Sequence, residues 1–174
     1  MFSLNVPVPG RVERTTAELQ PELVRFERLR ERHSLVAKRF DTALDDDADS
    51  LPRLRERLRR LLRRHAPDDL DLRVTGLDYF EDPLRGPGPV VYLAVDSPDL
   101  VALHRRLCES FGTVEGLEGD GYVPHVTLAR GGDVDDAAAL AERTHPDPVD
   151  WTARELHVWD SRYREVAARL PLGR

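Results

Sequence analysis

Two stretches of this chain, 89 residues apart, carry the same pattern: FSLNVPVPG at Phe2–Gly10 and VYLAVDSPD at Val91–Asp99, with Leu4 matching Leu93, Val6 matching Val95 and Pro9 matching Pro98. Each is followed by a helical pattern and then by a second strand with a histidine, His33 in one copy and His125 in the other, 92 residues apart. An internal repeat of this kind restricts the fold severely, because equivalent units bury equivalent faces and so pack about a pseudo-twofold axis. The expectation is one domain over residues 1–174 made of two lobes, with the two histidine strands facing each other. A chain of 174 residues is long enough to bury a core of that kind.

Alternation of apolar and polar residues predicts strands near Phe2–Val8, Arg32–Phe40, Leu70–Phe80, Val90–Asp96, Tyr122–Arg130, Arg154–Trp159 and Val166–Leu172. Ser50 and Ser97 have the chemistry of helix N-caps, and Pro52 and Pro98 follow them in the first turn. Leu51, Leu54, Leu58, Leu61 and Leu62 then form one apolar stripe, and Leu100, Leu103, Leu107 and Phe111 another. Two more helices are predicted around Thr16–Arg28 and Val134–Thr144. Asp41–Asp49 and Asp82–Pro89 read as surface loops. Strands and helices interspersed in this way give an α+β chain.

The N-terminus lacks a basic region ahead of an apolar run, and no eighteen apolar residues are consecutive, so secretion and membrane spanning are not expected. The single cysteine, Cys108, lies on an amphipathic stripe and reads as a packed thiol in a cytoplasmic protein. Lys and Arg together number 26 against 32 Asp and Glu, a formal net charge of −6. Such a chain does not coat long RNA through its general field, so any polyanion must be met by a local basic pocket. The arginine run Arg59, Arg60, Arg63 and Arg64 sits on the leucine-striped helix and reads as its solvated face.

The segment Gly121-Tyr122-Val123-Pro124-His125-Val126-Thr127-Leu128-Ala129-Arg130 carries the strongest chemical signal. On a strand, residues two apart share a face, so His125 and Thr127 point together while Val126 and Leu128 turn inward. An imidazole beside a hydroxyl suits phosphate chemistry, one moving a proton near neutral pH and the other holding an oxygen. The same pair on a merely solvated strand face is equally compatible with the pattern. Around His33 the match is imperfect: two residues on stands Leu35, and the nearest hydroxyl is Ser34. Lys38 and Arg130 each follow their histidine by five residues and could reach a phosphate from a strand end. No metal-ligand spacing is present among the remaining histidines, and Tyr122, Tyr79, Phe80, Trp151 and Trp159 are read as core packing.

Taken together, PHVTLAR, the strand histidine before it, VVYLAVDSPDLVALHRRL and the closing WDSRYREVAARLPL resemble the 2H phosphoesterase family, which includes RNA 2′,3′-cyclic phosphodiesterases and 2′-5′ RNA ligases. The resemblance implies a duplicated bilobal fold: two antiparallel sheets with outer helices and a central groove. It implies His33 and His125 as catalytic residues lining that groove and Thr127 as a phosphate-holding residue; the second hydroxyl does not carry over to Leu35, and either Ser34 substitutes through a local bulge or the first lobe holds phosphate less well. Arg130 and Lys38 are the further candidate phosphate contacts. The implied reaction is metal-independent and cofactor-free opening of a 2′,3′-cyclic phosphate to a 2′-phosphate on an RNA end or nucleotide. With an RNA 5′-hydroxyl in place of water, the related reaction would be 2′-5′ ligation. A monomer is expected. Two other readings stay open: a catalytically weak or inactive module that binds RNA ends or nucleotides, and a structural domain in which the repeat is architecture only.

Overall fold

The computed structural model describes residues 1–40 and 51–173. In chain order the elements are β1 (Phe2–Val6), α1 (Gly10–Leu19), β2 (Arg28–Leu29), β3 (Leu35–Arg39), α2 (Leu51–His65), β4 (Leu70–Phe80) and β5 (Val90–Asp96). They continue with α3 (Pro98–Phe111), β6 (His125–Arg130), α4 (Val134–Arg143), β7 (Val149–Ala153), β8 (Glu155–Asp160) and β9 (Glu165–Pro171). All seven expected strands lie within a few residues of their predicted places. The stretch expected over Arg32–Phe40 pairs only as Leu35–Arg39, behind the two-residue β2. Short β7 escaped notice in a proline-rich stretch, although its Trp151 and Ala153 are buried in alternation. The first helix begins earlier than expected, at Gly10, and after Leu19 tightens into a 3-10 turn at Gln20–Leu23. Pro21 accounts for this, since it has no N–H to continue the helical ladder. Ser97 caps α3 as expected, accepting from the Leu100 N–H at 3.4 Å with Pro98 in the first turn. The Ser50 cap and the Asp41–Asp49 loop lie outside the described residues.

All strand pairings are antiparallel, and the sheet runs β7-β4-β5-β6-β3-β1-β8-β9, with β2 also on β6. Four strands lie on each side of the β3–β6 seam, and the seam itself is a single register pair, Leu35 with Val126. The two lobes are therefore halves of one curled sheet. Their internal order is the same read outward from the seam: β3-β1-β8-β9 in one half and β6-β5-β4-β7 in the other. The C-terminal β8 and β9 complete the half that the N-terminal strand begins.

Register makes the repeat explicit. Across a twofold between antiparallel strands each residue pairs with its own equivalent, so Leu35 and Val126 are equivalent. Each seam strand also carries a β-bulge at the same place. Ala37 is skipped where β3 pairs β1, and Leu128 is skipped where β6 pairs β5, each two residues beyond the seam pair. Outward from these, Val6 corresponds to Leu93 and Leu4 to Val91, an offset of 87 rather than 89. The difference of two keeps the same face of the strand, which is why the sequence match looked convincing. The histidine offset does not survive: the residue equivalent to His125 is Ser34, and the one equivalent to Thr127 is Val36.

The bulge at Ala37 also decides the fate of Lys38. Before it, Leu35 faces inward opposite Val6 and Val36 faces the other way opposite Asn5; after it, Lys38 lies opposite Leu4, which is wholly buried, and Arg39 opposite Ser3. One extra residue inverts the alternation. Lys38 is accordingly 1% exposed, and its ammonium donates to Glu118 at 2.6 Å. It is therefore not a phosphate contact, contrary to the expectation. Glu118 in turn accepts from the backbone N–H of Arg39 and of Val114, tying the loop after α3 to β3.

The apolar faces of the strands and helices meet in one core containing Leu4, Leu35, Val126, Leu128 and Val158 from the sheet and Leu54, Leu58, Leu100, Leu103 and Leu107 from the helices. Fully burying each such side chain contributes about 1.5–3 kcal/mol. His104 is also wholly buried. Its Nδ1–H donates to the Ala37 carbonyl at 2.7 Å, its Nε2 accepts from the Gly119 N–H at 2.9 Å, and its ring stacks on Tyr122 at 3.8 Å. Both the bulge and the 3-10 turn at Gly119–Gly121 are thus held by one neutral imidazole.

Two predictions concern this framework. Lys38→Met leaves a buried carboxylate unpaired and lowers unfolding free energy by about 3–5 kcal/mol in urea titrations, while Lys38→Met combined with Glu118→Gln recovers part of the loss. The second concerns acid. Burial pushes His104 below its ordinary value of 6.5, so only the unfolded chain takes up that proton as pH falls. Stability should therefore be flat in this term above about pH 6.5 and decline below it, with a shallower decline in His104→Gln; a Tm series from pH 8 to 4.5 reads this.

Candidate functional site

The polar face of the seam strands lines a groove. Because Leu35 and Val126 point into the core, their neighbours Ser34, Val36, His125 and Thr127 point out of it. Ser34, His125, Thr127 and Arg130 border one cavity of about 240 Å³, together with Arg30, Arg32 and Arg39. Three of the expected contacts, Ser34, Thr127 and Arg130, are thereby brought together with His125.

His33 is not among them. It lies between Arg32 and Ser34, both of which border the groove, so its own side chain projects to the other side. There its Nδ1 is 3.4 Å from the Thr16 hydroxyl of α1, in a small recess with Glu13, Gln20 and Glu31. Burial is the main cause lowering its pKa; Glu13 opposes the shift and Arg30 adds to it. The expectation of two histidines facing one phosphate is corrected by strand parity. A similar correction applies to Leu35, which is wholly buried. The hydroxyl missing from the first lobe is missing at Val36, and a threonine at position 35 would put its hydroxyl in the core.

His125 is fixed by its surroundings. Its Nδ1 sits 2.7 Å from the Val123 carbonyl, which can only accept, so Nδ1 carries the proton and Nε2 is the basic nitrogen. Phe80 meets the ring edge-on at 5.2 Å and Tyr92 lies at 5.1 Å. Burial holds the imidazole below its ordinary pKa; the Val123 hydrogen bond works against this, and Arg39 and Arg130 push in the same direction as burial. The neutral, proton-accepting form is thereby favoured at neutral pH.

Arg39 and Arg130 stand at equivalent positions, two residues beyond the matching bulges, and both reach the groove. Arg130 is lowered in pKa by burial first and then by Arg30 and Arg39. Its guanidinium is aimed by a 2.7 Å hydrogen bond to the Arg85 carbonyl. Arg32 lies flat over Trp159, 3.5 Å from the ring centroid. Trp159 thus borders the groove rather than the core interior. Asn5, on β1 beside Val36, has a buried side-chain oxygen without a hydrogen-bond partner at the same cavity. Sequence reasoning missed Arg30, Arg32 and Arg39. The signal for Arg39 was its place at the end of the strand opposite Arg130, hidden by counting from His33, which made Lys38 look equivalent.

The family model of the 2′-5′ RNA ligase superfamily matches residues 42–164, most of the chain. This chain belongs to that superfamily, a group of phosphoesterases and ligases. The match takes in His125 and Thr127 and begins beyond β3, where the first lobe has Ser34 and Val36. Among solved structures, the chain is similar to the TT0787 protein of Thermus thermophilus, with a TM-score of 0.68 at 18% identity over 98% of this chain and 97% of that one. It is also similar to E. coli LigT complexed with 3′-AMP, with a TM-score of 0.65 at 13% identity over 99% and 98%. A structure described as a phosphoesterase has a TM-score of 0.58 at 16% identity over 99% and 98%. These likenesses show the duplicated bilobal fold of the 2H phosphoesterases. No curated protein matches the chain in sequence. Among the described residues no helix is long and apolar enough to cross a membrane, and no three His, Cys, Asp or Glu side chains are grouped to hold a metal ion.

Since His33 lies across the strand from the groove, His33→Ala should change nucleotide affinity and turnover by less than about twofold, as for substitutions away from a site. Parallel calorimetric titrations and rate measurements on the variant and the parent chain check this; a loss comparable to that of His125→Ala would overturn the placement.

Proposed function

We propose that this chain is a phosphoesterase acting on the 2′,3′-cyclic phosphate of an RNA end or nucleotide, with a single proton-carrying histidine. The observation that carries the reading is the position of His125 and Thr127 on one groove face, flanked by Arg39 and Arg130. LigT, whose fold this chain shares, has been crystallised with 3′-AMP and with NADP+, which supports a nucleotide as ligand.

In the proposed step, a water attacks phosphorus in line with the 3′-oxygen and gives its proton to His125 Nε2. The P–O3′ bond breaks, leaving a 2′-phosphate, and the departing oxygen takes a proton from solvent. Thr127 donates to a non-bridging oxygen. Arginine side chains meet the charge that develops on the phosphoryl group and on the leaving oxygen, in a site where fixed donors need no reorganisation. An RNA 5′-hydroxyl in place of the water, attacking along the same course with loss of the 3′-oxygen, would give a 2′-5′ linkage. Neither step uses a metal, and the protein acts as a monomer.

Ser34 cannot replace a histidine as acid, because a hydroxyl does not change its protonation near neutral pH. Absence of one proton carrier costs about 10²–10⁴-fold in rate, so slow turnover is expected. The same two residues, Ser34 and Val36, favour a second reading, a module that binds nucleotide ends without opening them.

Incubation with a 2′,3′-cyclic nucleotide in EDTA separates the two readings. The catalytic one predicts accumulation of the 2′-phosphate, abolished in His125→Ala. It also fixes the pH profile. A general base must be neutral, and the neutral fraction of His125 grows as pH rises through a pKa held below 6.5. Rate should thus rise with pH to a plateau at neutrality, whereas a site with two histidines gives a bell. A falling limb between pH 7 and 9 would reveal a second acid and overturn the one-histidine mechanism. Binding without product in any of these conditions would leave the non-catalytic module standing.

A further inference from the structure

We propose that the cavity on the β2 side of His125 receives a second phosphoryl group of the substrate, so that the preferred ligand is a nucleotide end bearing two phosphates. This rests on the reading above for the first phosphate, which lies beside Thr127. Two sources could supply the second group: the phosphodiester of the preceding nucleotide in RNA, or a 5′-phosphate on the same nucleoside.

The cavity measures about 580 Å³, against about 240 Å³ for the one beside Thr127, and His125, Arg39 and Arg130 line both. A single phosphoryl group fills only a small part of such a space, which is of the size that holds whole small ligands. Arg28 and Arg85 border only this larger cavity. Arg28 pairs with Arg130 across β2 and β6, a like-charged cross-strand pair that opposes strand association unless something negative lies between. Among the described residues neither Arg28 nor Arg30 has an acidic partner within ion-pair distance. Of the two acids at the cavity, Glu118 is already engaged by Lys38, leaving Asp82.

The concentration of positive charge runs against the whole chain, whose formal net charge is −6. It lines a concavity, and low-dielectric walls focus its field on whatever enters. The loop over the cavity is fixed as well. Gly86 takes a positive φ of 77°, and the Arg130 guanidinium holds the neighbouring Arg85 carbonyl. Phe80 and the exposed Leu84 line the same cavity and give a base or sugar apolar surface between the two phosphate positions.

The test measures binding apart from turnover. His125→Ala protein is titrated calorimetrically with adenosine 2′,3′-cyclic phosphate, with its 5′-phosphorylated form, and with a diadenylate ending in a 2′,3′-cyclic phosphate. At least one doubly phosphorylated probe should bind about tenfold more tightly than the mononucleoside. Its affinity should also fall more steeply with salt, by about 0.7 in the log–log slope for the added phosphate. Which probe gains identifies the source of the second group. Arg28→Ala, an exposed residue whose loss leaves the fold intact by circular dichroism, should remove most of that advantage, and Arg28→Lys should restore part of it. Equal binding of all three probes, or an advantage untouched by Arg28→Ala, overturns the inference while leaving the single-phosphate site in place. Preference for two phosphates, together with no product from the parent chain in the EDTA assay, supports the inference and removes the catalytic reading. Failure of every probe to bind removes both.

Discussion

The pairing of β3 with β6 at Leu35 and Val126 is the contact on which the rest of the molecule depends. It is one register pair long, yet it joins four strands on either side into a continuous sheet and puts the two equivalent strands back to back in register. Both side chains are wholly buried. Once they point inward, period-two alternation turns Ser34, Val36, His125 and Thr127 toward the groove, and no side chain can leave its face without shifting the register. The matched bulges at Ala37 and Leu128 then invert the alternation in both lobes. In this way Arg39 and Arg130 reach the groove from opposite ends.

A bulge exposes backbone groups that must find partners elsewhere, and the structure supplies them from α3 and the loop that follows it. His104 accepts and donates within the core at the Gly119 N–H and the Ala37 carbonyl, while Glu118 binds the Arg39 N–H and the Lys38 ammonium. A buried ion pair seldom stabilises more than a well-packed apolar pair of the same volume. Here its effect is geometric: it holds the strand past the bulge in the one register that directs Arg39 outward. The geometry of the groove is therefore supported by polar groups that lie outside the cavity beside Thr127.

The two halves share a backbone but have diverged in side chains. One has His125 and Thr127; the other has Ser34 and Val36 at the equivalent places. Where acid–base capacity is missing, positive charge is abundant, from Arg30, Arg32, Arg39 and Arg130. Such a groove is better built to hold and polarise phosphate than to pass protons across it. Beyond the effect of burial, Arg30 and Arg39 lower the pKa of Arg130, and Arg39 and Arg130 lower that of His125, so a bound phosphate relieves repulsion among these groups.

Much of this was legible in the sequence, because apolar periodicity is local. The strand at PHVTLAR, the capped helix after Ser97 and the duplication all follow from patterns within a few residues, and they determined the fold class and the shared face of His125 and Thr127. Lys38, His33 and Arg39 were not legible. Their roles depend on which way a side chain faces, and facing depends on where the first lobe's strand pairing starts and where a bulge falls. Reading His33 as the partner of His125 assumed an equivalence that was wrong by one residue, and one residue is enough to cross the sheet. The sequence by itself determined two lobes and the strand that puts His125 and Thr127 on one face, since burial of alternating apolar residues is encoded in order along the chain. Tertiary structure alone decided which charged residues enter the groove, because strand register and bulges are properties of paired strands and belong to neither strand in isolation.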